Sequence, residues 1–89
     1  MVTMNSRFKR SAHIIFKDLE GVPALIDPYR RTVVKLNSVS CRIWELLGLA
    51  HPVSGIIDAI AEEFDAPREE IYKDVSNVLS GLLKREMIT

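Results

Sequence analysis

The order of patterns along these 89 residues predicts an α+β fold, an N-terminal three-stranded antiparallel sheet followed by a three-helix bundle. Three observations carry that reading. Residues 32–47 change from strand to helix periodicity within one turn. Every β-rich run lies before that junction. Every stripe of helically spaced apolar residues lies after it.

At the junction, Thr32, Val34 and Leu36 alternate with Val33 and Lys35, the period-2 pattern of a strand with one buried face. From Val39 the apolar positions become Val39, Ile43, Trp44, Leu46 and Leu47, which share one side of a helix. Asn37 and Ser38 lie between, and either can accept from the free N–H groups of the first helical turn. Upstream, residues 12–16 form a short β-rich run, and residues 17–21 supply turn chemistry, with Gly21 available for a positive φ. Val22–Asp27 reads as the second strand, with Ala24 and Ile26 on one face and Leu25 on the other. Residues 27–30 (Asp-Pro-Tyr-Arg) make a turn into the third strand. Short strands joined by tight turns predict an antiparallel meander.

The first helix is expected to end near Gly48 as its C′ residue, with Pro52 following. A second helix opens at residues 51–54 and runs to about Phe64. Asp65-Ala66-Pro67 breaks the chain before a third helix over residues 67–85. Met87 and Ile88 are expected to tuck back onto the core. Residues 1–10, polar and basic, read as a flexible N-terminal arm, which leaves 11–89 as a single domain.

Composition narrows the function. An apolar fraction of 47% excludes global disorder, and no apolar run approaches the roughly 20 residues that span a bilayer. The N-terminus has no secretory-type apolar segment, and Cys41 is the single cysteine, so a reducing cytoplasm is the simplest location. Charge is divided: residues 1–42 hold eight Lys/Arg against three Asp/Glu, and residues 43–89 four against nine. The sheet half is basic and the helical half acidic. Catalytic signatures are missing: no glycine-rich phosphate loop, no His-Glu-x-x-His helix, no paired cysteines. His13 and His51 sit in different elements. Cys41 reads as a small packing residue, and Trp44 as core. An enzyme is not expected, and no cofactor is implied.

Residues 25–27 (Leu-Ile-Asp), 36–37 (Leu-Asn) and 43–47 (Ile-Trp-Glu-Leu-Leu), in this order between meander and helices, resemble the PqqD-like family. These are the peptide-recognition elements of pathways that modify ribosomally made peptides. Residues 57–64, Asp74-Val75, Leu79, Leu82-Leu83 and Met87-Ile88 extend the likeness over nearly the whole chain. Two places depart from it. Residues 48–52 replace the acidic residue and glycine that often follow the first helix, and Glu86 stands where a glycine often precedes the final apolar pair.

The resemblance implies a winged helix-turn-helix-like fold and a non-catalytic adaptor that binds a leader peptide. The leader would add as a strand to the third strand, at Arg31, Thr32, Val33, Val34 and Lys35, and pack on the third helix. It would then be presented to a modifying enzyme, such as a radical S-adenosylmethionine protein. Along the third helix, Ile71, Val75, Val78 and Leu82 make the narrow core stripe, and Tyr72, Leu79 and Leu83, with Ser76 between them, widen it to one side. The peptide contact is therefore expected at Tyr72, Val75, Ser76, Leu79 and Leu83, and Leu79→Asp should weaken binding with little loss of helix. Arg30, Arg31 and Lys35 would favour an acidic peptide. The same charges could serve to protect the edge against aggregation, and a second copy of the chain could cover it. The rival reading is a winged-helix DNA-binding regulator. It is weakened by a third helix with four basic residues against four acidic ones over residues 68–86. A scaffold module that binds only a partner enzyme shares every feature of the adaptor.

Overall fold

The computed structural model describes residues 2–89. Three strands, β1 (Ile15–Leu19), β2 (Val22–Asp27) and β3 (Thr32–Lys35), precede three helices, α1 (Ser38–Gly48), α2 (Val53–Glu63) and α3 (Arg68–Lys84). The strands form one antiparallel sheet in the order β1-β2-β3. The α+β architecture and the meander are as the sequence predicts.

The first strand begins later than its apolar run suggests. Residues 12–14 stay outside the sheet and the strand continues through Lys17 and Asp18. The reason is the turn: Glu20 and Gly21 both take positive φ (54° and 88°) and close a two-residue hairpin, with Leu19 opposite Val22. A turn this tight keeps residues 17–19 in the ladder. Asp18 accepts from the Gly21 N–H at 2.6 Å.

Asn37, not Ser38, caps α1. Its Oδ1 accepts from the Ser40 N–H at 2.8 Å while Ser40 Oγ accepts from the Asn37 N–H at 2.9 Å, a reciprocal capping box. At the other end Gly48 is still helical, and Ala50 takes the left-handed conformation (φ 61°). The buried face of α1, Ile43, Trp44, Leu46 and Leu47, meets Ile56, Ile57 and Ile60 of α2 and Ile71, Val75, Leu79 and Leu82 of α3. Leu25 and Leu36 close this core from the sheet side. Met87 and Ile88 return to it after a left-handed turn at Glu86 (φ 55°), both fully buried.

The N-terminal segment is laid against the start of α2 and the tail that follows α3. Lys9 and Thr89 exchange two backbone hydrogen bonds (2.9 and 2.8 Å), and Ser11 N–H donates to Met87 O. Val53 and Ser54 N–H donate to Ser6 and Met4 carbonyls, so the first N–H groups of α2 are satisfied by this segment. The Arg10 guanidinium lies over the Trp44 ring, 5.3 Å from its centroid, against the bare Cα of Gly48. Among the described residues no helix is long and apolar enough to cross a membrane.

Candidate functional site

The free edge of β3 follows from the hydrogen-bond register. Leu36 N–H donates to Pro23 O at 2.8 Å, and residues two apart on a strand point their backbone groups the same way. Thr32, Val34 and Leu36 therefore turn toward β2. Val33 and Lys35 turn their N–H and C=O groups outward, where among the described residues no strand pairs with them. Side chains alternate by face: Val34 and Leu36 point toward the helices, and Val33 and Lys35 lie on the outer face of the sheet.

Beside this edge runs α3. Between them lies a cleft of about 190 Å³, walled by Val34 and Lys35 on the strand side and by Val78, Gly81, Leu82 and Arg85 on the helix side. Gly81 opens the helix wall, because a side chain there would project into the cleft. Arg85 Nη1 donates to Gly81 O at 3.2 Å, holding the guanidinium along the rim.

The turn from β2 to β3 is built on Asp27, which is fully buried. Its Oδ1 accepts from the N–H groups of Tyr29 (3.0 Å) and Arg30 (3.1 Å), and Oδ2 lies 3.5 Å from His13 Nε2. Burial pushes the carboxyl up, but the two backbone donors and His13 together outweigh it, and the pKa falls below its ordinary value. Arg31 completes the turn in the left-handed region (φ 53°), which aims β3 along α3. Arg30 is engaged elsewhere: it pairs with Glu86, just past α3, and approaches Asp27 Oδ2 at 3.9 Å.

The expected site residues divide into three groups. Arg31, Thr32, Val33, Val34 and Lys35 run together along β3 and the turn before it: Val34 is half-buried, the other four are exposed, and only Val33 and Lys35 turn their backbone groups outward. Val75 and Leu79 are fully buried in the core, with 0% exposure each, so a peptide cannot reach them in this fold. Tyr72, Ser76 and Leu83 lie on the opposite flank of α3 from the cleft, as their helical angles require. Tyr72, 40% exposed, lines a depression of about 410 Å³ with Met4, Ile57, Arg68 and Lys73, where there is no strand edge. The Ser76 hydroxyl is buried without a partner. The residues that wall the cleft from α3 are Val78, Gly81, Leu82 and Arg85, of which spacing along the sequence assigns Val78 and Leu82 to the core stripe alone. The available signal was Gly81, an isolated glycine inside a 17-residue helix, where it costs about 1 kcal/mol relative to alanine.

Among the described residues no three His, Cys, Asp or Glu side chains converge as metal ligands. Burial, reinforced by Glu45, pushes the Cys41 thiol up, away from the thiolate a nucleophile needs.

The comparisons with known proteins agree with this fold. A solved structure described as TbiB1 in complex with the TbiA(beta) leader peptide superposes with a TM-score of 0.79 at 26% identity, covering 90% of this chain and 93% of that one. A second, lasso peptide synthetase B1 complexed with the leader peptide, superposes with a TM-score of 0.83, covering 94% and 99%. At 17% identity it speaks for the fold. A search of curated proteins gave no match. The family model for coenzyme PQQ synthesis protein D (PqqD) matches residues 24–88, from within β2 to the tucked-in tail, and the chain belongs to the PqqD family.

Proposed function

We propose that this protein is a non-catalytic adaptor. It binds the leader of a ribosomally made precursor peptide by strand addition to β3 and presents it to a modifying enzyme, such as a radical S-adenosylmethionine protein, in the cytoplasm. The observation that carries this is the outward pair Val33 and Lys35 beside an open cleft, in a fold shared with proteins solved in complex with leader peptides. An unpaired edge supplies main-chain hydrogen bonds, and the adjacent cleft supplies a pocket for alternate side chains. Arg31 and Thr32 extend the edge, and Val34, Val78, Gly81, Leu82 and Arg85 form the pocket. The folded unit takes in the residues before 11 as well, a reading supported by their backbone hydrogen bonds to α2 and to Met87 and Thr89.

DNA binding is less well supported, because Arg68, a cation at the start of α3, is already paired with Asp58, and Glu69 and Glu70 occupy the first turn. An amide-resolved NMR titration separates the readings. With a leader peptide encoded beside this gene, saturable shifts are expected at residues 31–36 and at Val78, Gly81 and Arg85. A DNA duplex at physiological salt should give none. Shifts from DNA alone would overturn the adaptor. Peptide shifts confined to Tyr72 and Lys73 would move the site to the other flank.

A further inference from the structure

The strand-addition reading leaves open what kind of peptide this edge selects, and the cations around the cleft narrow it. An added strand would place its residues opposite Val33 and Lys35 on the outer face of the sheet, and the residue opposite Val34 inward, into the cleft. Lys35 has Ala24 as its cross-strand neighbour on that outer face, and beyond Ala24 stands Lys17. The row thus contains two lysines and no carboxylate. Across the cleft, among the described residues, the Arg85 guanidinium hydrogen-bonds only to the Gly81 carbonyl of its own helix. Among the described residues neither Lys35 nor Arg85 is in an ion pair, and no carboxylate lines the cleft. Arg30, by contrast, is engaged by Asp27 and Glu86.

We propose that the edge selects an acidic extended segment with a fixed alternation: a carboxylate opposite Lys35 on the outer face, and next to it an aliphatic or aromatic residue turned inward against Val34, Val78 and Leu82. A second carboxylate fits two residues from that inward side chain, on the same side, within reach of Arg85. The two cations read opposite faces of the same strand, so the pattern is positional, not a general attraction to negative charge. The lysine row supplies the outer-face preference. The bare Gly81 wall supplies room for the inward side chain.

The inference rests on strand addition, and its test separates the two. A display library of random ten-residue peptides is selected on the immobilised full chain, on Lys35→Glu, on Lys73→Glu at the far flank as a net-charge control, and on Gly81→Leu with its cleft filled. The expected result is enrichment of Asp or Glu beside an apolar residue on wild type and on Lys73→Glu, with the acid replaced by Lys or Arg on Lys35→Glu. Peptides selected on wild type should bind Lys35→Glu about fivefold more weakly, with the difference shrinking at high salt. Enriched peptides without charge preference, or an acidic preference unchanged in Lys35→Glu, would overturn the proposal and leave strand addition standing. Equal enrichment on wild type and Gly81→Leu would overturn the inward pocket and with it the proposal, and no enrichment on wild type would overturn strand addition as well.

Discussion

The Arg30 guanidinium pairs with the Glu86 carboxylate, which ties the turn entering β3 to the residue where the chain leaves α3. The two walls of the cleft are thus fastened at one end by an ion pair between side chains that are both half exposed or more. Such a pair contributes roughly 0–1 kcal/mol. Glu86 also sits at φ 55°, a conformation that favours glycine. The two effects oppose each other, and their magnitudes decide the outcome. Glu86→Ala loses the pair and keeps the strained backbone, so its Tm should fall. Glu86→Gly loses the pair but relieves about 1 kcal/mol of strain, and its Tm should lie above that of Glu86→Ala by several degrees. Equal Tm values for the two variants would refute the strain at Glu86.

Asp27 gives the fold an acid limit. Its carboxyl titrates below the ordinary value in the folded chain, so its stabilisation is fully present above about pH 4 and is lost as pH falls through the folded pKa. Asp27→Asn removes the titration and weakens the turn. Urea midpoints should therefore be lower for the variant at pH 7, and wild type and variant should converge toward pH 2. Parallel pH profiles would show that Asp27 is not the titrating group.

Gly81→Leu should separate stability from binding. Leucine is a better helix former than glycine by about 1 kcal/mol, and the position faces open cleft with only Arg85 Nη1 near a new Cβ, at 3.4 Å. Thermal stability should hold or rise while leader-peptide affinity drops by an order of magnitude or more. Tyr72→Ala, on the opposite flank, should leave affinity unchanged within about twofold. Calorimetric titration of both variants checks the assignment of the flank.

Leu79 belongs to the core, so its substitution tests folding rather than recognition. Leu79→Ala should cost about 2–5 kcal/mol through lost burial and a residual cavity. For a domain of this size that approaches the whole stability. Leu79→Asp should unfold the chain, and far-ultraviolet circular dichroism would show helix loss before any question of binding arises.

The fold was legible because each level of pattern agreed with the next. The change of period at residues 36–39, the Asn37 cap and the breakers at Pro52 and Pro67 place every helix to within a residue or two. The edge residues of β3 were legible for the same reason, since strand order and alternation follow from short connections. The helix side of the cleft was not. Residues 71–83 carry apolar side chains over an arc of about 140° on α3, wider than one contact face, and periodicity alone does not tell which flank meets the sheet and which meets α2. That choice depends on how α3 crosses the bundle. Leu79 lies at the centre of the core, where its spacing points to the rim. Val78 lies at the rim, where its spacing points to the core stripe. The late start of β1 was hidden likewise, because a positive φ at Glu20 is not what a glutamate advertises.

The contact between Arg10 and Trp44 gives the chain an optical reporter. Trp44 is its one tryptophan, 5% exposed, and the cation above its ring belongs to the segment that pairs with Thr89 and Ile88. If that segment lifts away, the indole loses a charged neighbour and gains water on the same face. Emission should move to longer wavelength while the rest of the bundle stays folded. The fluorescence of a single residue thereby distinguishes the latched chain from the unlatched one, without a label and in the presence of any partner that itself lacks tryptophan.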